Sequence, residues 1–368
     1  MKDLNKYRGC LLGGAVGDAL GYTVEFFHEE QIFQRFGKQG ITEYSLINGV
    51  APVSDDTQMT LFTATGLLVG TTRGMTQGMM GPYSSYLSYA YSDWLKTQLV
   101  GHSELSIPHS SWLNNVPEIN QQRAPGNTCL SACRKTDIGT IETPINNSKG
   151  CGGVMRVAPI GLYFEGKDLS KEEIAFLGAE AAALTHGHEL GYLPAAALVH
   201  IINLVSHDDS ISLAAAVKDS VLTVKKLFTS SKHLSEFEDI MEKAMTLSQA
   251  NVNDLEAIHE LGEGWVAEET LAIAVYCALK YATDFEKAIV AAVNHNGDSD
   301  STGSVTGNIL GAYLGLSAIP QKFLDYLELK DVITEIADDL YHDCQMTEYG
   351  SYYDKKWVEK YIKHTYRG

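Results

Sequence analysis

Apolar and small residues recur with helical period along most of the 368-residue chain, and strand-type alternation is hard to find. Ser170-Lys171-Glu172-Glu173 has the form of a capping box ahead of Ile174-Ala175-Phe176-Leu177. Ser235 with Glu238 repeats that form ahead of Ile240, Met241, Ala244 and Leu247. The Ala-rich runs at 179–184, 194–198 and 214–217, and the segment from Trp265 to Ala282, predict buried helices. The pattern therefore predicts an all-α assembly. No change of composition marks a linker and no whole-domain repeat is present, so residues 1–368 are expected to form a single domain. Two polar stretches, Gly101 to Asn127 and Lys135 to Gly153, interrupt the helices and read as functional or mobile loops.

Two helices stand apart because small residues, rather than large apolar ones, mark their faces. Glycines at 303, 307, 311 and 315 draw one bare stripe, and glycines at 9, 13, 17 and 21 draw another with the same spacing of four. An interior helix glycine costs about 0.5–1 kcal/mol against alanine, which close packing has to offset. The two stripes are expected to meet backbone to backbone.

Charge narrows the partners. With 28 basic and 46 acidic residues the net charge is −18, which argues against a nucleic-acid or anionic-membrane surface. The longest apolar run, about Leu193 to Val205, is interrupted by His200 and falls short of the roughly 18 residues a span requires. Six cysteines without a C-x-x-C pair fit a reduced, cytoplasmic setting better than a zinc ribbon.

The candidate chemistry lies at two helix starts. Asp298-Ser299-Asp300-Ser301-Thr302 places two carboxylates and three hydroxyls where a polar turn becomes the second glycine helix. Capping explains one such residue, but two Asp at i, i+2 repel unless a cation or donor lies between them. An EF-hand loop is excluded because its twelfth position is Ile309. Ser54-Asp55-Asp56-Thr57 is a second acidic, hydroxyl-rich start. Together the two supply an all-oxygen set of the kind that suits Mg²⁺, Mn²⁺ or Ca²⁺, with enough carboxylates for two ions.

Seven motifs resemble the ADP-ribosylglycohydrolase family in order and spacing, over roughly residues 8 to 340. They are Gly17-Asp18-Ala19-Leu20-Gly21 with Glu25, Ser54-Asp55-Asp56, Arg123 to Thr128, Gly152 to Pro159, Thr185-His186, Gly262 to Glu269, and Gly297-Asp298-Ser299-Asp300-Ser301. The resemblance implies an orthogonal all-helical bundle with two divalent cations, Mg²⁺ or Mn²⁺. By position, it implies Ser54, Asp55, Asp56, Asp298, Asp300 and Ser301 as metal ligands, with Ser where the family has threonine. Glu25 falls where some members place a carboxylate near the scissile bond, and Asp55 and Asp56 are expected to join it in catalysis. Gly126, Asn127, Gly150, Gly152, Gly153, Met155, Arg156 and His186 are the expected substrate contacts, with Arg156 in a glycine-rich loop for the diphosphate. Met155 and Arg156 also read as a plain helix entry. His188 reads as a surface residue, Cys151 has no partner that would mark a nucleophile, and Trp265 reads as packing. Tyr83, Tyr86, Tyr89 and Tyr91 read as core or as a stacking face, and Asp93 as an extra acid.

The resulting expectation is metal-assisted hydrolysis of the N-glycosidic bond between ADP-ribose and a protein arginine. The partners are an ADP-ribosylated protein, ADP-ribose itself and an ADP-ribosyltransferase toxin. Hydrolysis of O-linked ADP-ribose on serine, and a non-catalytic binding or toxin-blocking role, are the alternatives.

Overall fold

The two glycine stripes do meet. Helix Leu4–Tyr22 lies along helix Ser299–Leu314 in the computed structural model, which describes residues 2–99, 111–135 and 137–367. A Cβ built on Gly13 would stand 2.5 Å from the Gly307 carbonyl oxygen, and one on Gly303 would stand 2.5 Å from that of Gly17. Gly9 and Gly21 face the backbones of Gly311 and Ser299 in the same way. No side chain fits at these four crossings, so backbone dispersion contacts must offset the glycine cost. Asn308 adds a polar tie, its Nδ2 donating to the Cys10 carbonyl at 2.9 Å.

The other helices wrap this pair. Asp55–Gln77 packs on Tyr83–Gln98, and Lys171–Ala183 on Glu189–His207. Ala267–Lys280 and Phe285–Val293 flank the Ser299 helix, while Lys330–His342 lies on the first. Buried apolar side chains from Tyr7 to Tyr361 form one connected cluster. The all-α expectation holds: seventeen α-helices are present among the described residues, with no strand and only three isolated bridges. Helix Glu189–His207 has the length and apolarity of a membrane span, but 94% of that window is buried against other helices.

Local signals fared unevenly. The Ser170 box forms in both directions, Glu173 N–H to Ser170 Oγ at 3.2 Å and Ser170 N–H to Glu173 Oε2 at 2.8 Å. The Ser235 box does not form. Its helix, Leu234–Gln249, begins two residues earlier behind His233, and Glu238 instead accepts from Lys225 at 2.8 Å. In the first polar stretch, residues 101–110 lie outside the described residues. Beyond them, two 3₁₀ turns, Trp112–Asn115 and Pro117–Ile119, bury Trp112, Leu113 and Ile119. The described residues of the second stretch are irregular up to the 3₁₀ turn Cys151–Gly153.

Candidate active site: a buried acidic cluster

Three chain segments bring the acids together. Gly297 adopts φ +109°, where a Cβ would collide with Glu263, and this turn directs the chain into the Ser299 helix with Asp298 at its cap. Asp298 Oδ1 accepts from Ser301 N–H at 3.2 Å, and its Oδ2 accepts from the Cys151 thiol at 2.7 Å. Asp300 Oδ1 also receives Ser301 N–H, at 3.0 Å. Glu25, just beyond the end of the first helix, completes a group: Glu25, Asp298 and Asp300 each present an oxygen within 4.8 Å of the others.

Asp55 and Asp56 arrive on the first turn of helix Asp55–Gln77. Ser54 Oγ accepts from Asp56 N–H at 3.2 Å, so the serine caps its helix. Most of the capping, however, comes from elsewhere. Asp18, on the first helix, accepts from Ser54 N–H at 2.9 Å and Thr57 N–H at 3.1 Å, and from the Thr57 hydroxyl. An acid from a distant helix thereby satisfies the start of this one, and the helix's own acids are left for another purpose. Asp55 Oδ2 accepts from Gly126 N–H at 3.2 Å, whereas Asp56 Oδ2 is buried with no hydrogen-bond partner.

The electrostatics are those of acids crowded out of water. Burial first, and Asp300 second, push Asp18 up to about 7. Burial, then Asp300, Asp298 and Asp55, push Glu25 up to about 10. Asp55, Asp56 and Asp300 are driven well above the carboxylate range for the same reasons, and burial raises Asp298. Glu25 Oε2, like Asp56 Oδ2, is buried without a partner. Two orphaned oxygens amid mutually repelling carboxylates fit divalent cations, and a donor set of oxygens alone fits hard ones.

The expected substrate contacts divide into two groups. Gly126 and Asn127 are exposed at the start of helix Asn127–Cys133, with open space where a Gly126 Cβ would stand. Gly152 and Gly153 are packing glycines instead: a Cβ would lie 2.6 Å from Cys129 Sγ at the first, and 3.0 Å from Ala182 Cβ at the second. Met155 is buried. The Arg156 guanidinium is not in the loop mouth to meet a diphosphate. It is fully buried, 4.0 Å over the Tyr91 ring, and Nη2 donates to Ala181 O at 2.9 Å and Thr185 Oγ1 at 2.7 Å. His186 is buried beneath the same turn, where a Gly150 Cβ would lie 3.3 Å from its Nε2, and burial lowers it to about 3, so the ring is neutral. Arg156 and His186 brace the loop from behind.

The remaining candidates resolve similarly. Tyr91 and Tyr83 bond to Thr63 and Thr71 at 2.9 and 2.8 Å, Tyr86 accepts from Gly81 N–H at 3.3 Å, and Tyr89 is exposed. Asp93 is buried and paired with Lys96 at 2.6 Å, apart from the acidic group. His188 is half-buried and caps helix Glu189–His207, Nδ1 accepting from Leu190 N–H at 3.1 Å. Trp265 is not packed away; the residue is 41% exposed. Sequence reasoning missed Asp18 and the thiol of Cys151 as parts of the site. An acid inside an otherwise apolar, glycine-rich helix was the available signal for Asp18.

Comparison with known proteins gives the family and the fold. The family description ADP-ribosylglycohydrolase matches residues 1–350. The chain is similar to an ADP-ribosylhydrolase ARH3 of Danio rerio, at 25% identity over 92% of this chain and 90% of the relative. It is also similar to an ADP-ribosyl dinitrogen reductase glycohydrolase of Rhodospirillum rubrum, at 24% identity over 88% of this chain and 90% of the relative. A solved structure titled ADP-ribosylglycohydrolase-related protein complex shares the fold, with a TM-score of 0.61 and 23% identity over 92% of this chain and 98% of that one.

Proposed function

The chain belongs to the ADP-ribosylglycohydrolase family, and from that premise we propose that it is a metal-dependent hydrolase removing ADP-ribose from a modified protein side chain, with arginine as the first acceptor. The observation that carries this reading is the convergence of Glu25, Asp298 and Asp300 with Asp55 and Asp56 in one buried, self-repelling group.

In this reading Ser54, Asp55, Asp56, Asp298, Asp300 and Ser301 hold two Mg²⁺ or Mn²⁺ ions. When bound, such ions supply Lewis acidity toward water and orient ribose hydroxyls. Asp56, whose second oxygen is buried without a partner, is the freer of the two candidate bases, since Gly126 engages Asp55. It takes the proton of the water that attacks the anomeric carbon as the glycosidic bond breaks. Glu25 assists at the leaving side. Gly126 and Asn127, and Gly150 through its backbone, are the contacts left to ADP-ribose once Arg156 is assigned to the core. An ADP-ribosyltransferase, toxin or otherwise, is the class of enzyme that must supply such a substrate. Residues 1–368 read as one domain, which the continuous apolar core supports, and six free cysteines suit a reduced cytoplasmic setting.

A serine acceptor is the second reading, and the position of Glu25 favours it. An alkoxide leaves only when protonated, whereas a guanidinium departs as a neutral base. The test is release of ADP-ribose from arginine-linked and serine-linked proteins with Mg²⁺, with Mn²⁺ and with excess chelator. Release from at least one linkage, abolished by chelator, is expected; no release from either with any metal would overturn the hydrolase reading.

A further inference from the structure

Phe26 is 69% exposed and Trp265 41% exposed, yet their rings stack, with centroids 6.3 Å apart and planes 23° from parallel. Both are tied to the acidic group through the backbone. Phe26 directly follows Glu25. Trp265 follows Gly264, whose φ of +81° sets it against the Asp298 turn: a Cβ there would lie 3.4 Å from the Asp298 carbonyl oxygen. The Trp265 carbonyl accepts from Cys151 N–H at 3.2 Å, and the Cys151 thiol donates to Asp298. The pair therefore stands at the rim of the acidic group, on the side of Glu25. Glu263 is exposed beside Gly264, and the charge of Lys149, on the segment bonded to Trp265 and Ala267, is offset by Glu268, so the rim keeps a negative charge.

We propose that Phe26 and Trp265 form the platform that receives the acceptor side of the substrate, and that the acceptor it fits is a planar cation, the guanidinium of arginine. This rests on the hydrolase reading above. Ring faces attract cations, and a guanidinium also stacks on them, whereas a serine hydroxyl offers neither charge nor plane. A negative rim draws in a basic segment and disfavours an acidic one. Adenine is the other planar group of the substrate, but it lies a diphosphate and two riboses away from the bond that Glu25 faces.

The experiment compares wild type, Phe26→Ala, Trp265→Ala and Trp265→Phe on arginine-linked and serine-linked ADP-ribosylated proteins, and measures their affinity for free ADP-ribose. On the arginine-linked protein the alanine variants should raise KM by about 3- to 30-fold with little change in kcat. Trp265→Phe, which keeps a ring, should stay near wild type, and ADP-ribose affinity should not move. Three results would overturn the platform: alanine variants with wild-type KM, a parallel loss of ADP-ribose affinity, or a wild type active on serine linkages alone. A wild type inactive on both linkages would remove the hydrolase reading and the platform with it, and is told apart because it is seen before any variant is made.

Discussion

Replacing Asp18 tests whether an acid borrowed from another helix keeps the site's own acids free. In Asp18→Ala, the Ser54 and Thr57 N–H groups and the Thr57 hydroxyl lose their acceptor in a fully buried place. Each orphaned donor costs about 1–3 kcal/mol. A water entering the space recovers part, and loss of a carboxylate that repels Asp300 returns a little more, so the net cost should be about 2–4 kcal/mol. Asp18→Asn keeps the shape and one acceptor oxygen, and should cost about 1–2 kcal/mol. The more telling effect concerns cations. With its external cap gone, the Asp55 helix draws Asp55 or Asp56 back onto its own N–H groups, and Mn²⁺ affinity should fall about 10- to 100-fold. Urea unfolding and an EPR titration with Mn²⁺ measure the two effects. An Asp18→Ala protein matching wild type in both midpoint and Mn²⁺ affinity would refute the capping argument.

Asp300→Asn should lower ADP-ribose release by about 100-fold or more while leaving the circular dichroism spectrum unchanged, and a variant active without metal would contradict its role. The metal-free protein should lose stability as pH rises. Folding holds protons on Asp18 to about 7 and on Glu25 to about 10, against ordinary values of 3.8 and 4.5, so their contribution is whole below pH 4 and is lost as pH climbs through those higher values. Melting in chelator at pH 5, 7 and 9 checks this, and a higher melting temperature at pH 9 than at pH 5 would be the wrong sign. Gly13→Ala places a Cβ 2.5 Å from a backbone oxygen and should cost about 2–4 kcal/mol in urea unfolding, because the two helices must part. Arg156→Ala should cost about 3 kcal/mol in the same assay yet leave ADP-ribose affinity near wild type, since its guanidinium faces Tyr91 and Thr185.

The parts of the fold legible in the sequence were those with a local cause. Glycines at a spacing of four have one physical use on a helix, close approach, and Gly13 and Gly307 meet as the spacing requires. Paired aspartates at two helix starts were legible because capping needs only one of them. What escaped depends on tertiary direction. Sequence order puts Arg156 beside a glycine-rich turn, but not whether its side chain leaves through the mouth or returns under Tyr91. The Ser235 box failed because the helix starts at Leu234 behind His233, which puts Ser235 inside its first turn. Trp265 begins an apolar helical pattern and reads as core, but the turn at Gly264 places its ring at the surface beside Phe26.

The central claim is that the buried carboxylates are a seat for two divalent cations on which hydrolysis depends. Mn²⁺ titrated into chelator-treated protein and followed by EPR, beside a parallel assay of ADP-ribose release, tests it most directly. Two Mn²⁺ should bind per chain, with activity rising with occupancy and both lost in Asp300→Asn. Full activity with no bound Mn²⁺ or Mg²⁺, or Mn²⁺ binding unchanged by Asp300→Asn, would contradict it.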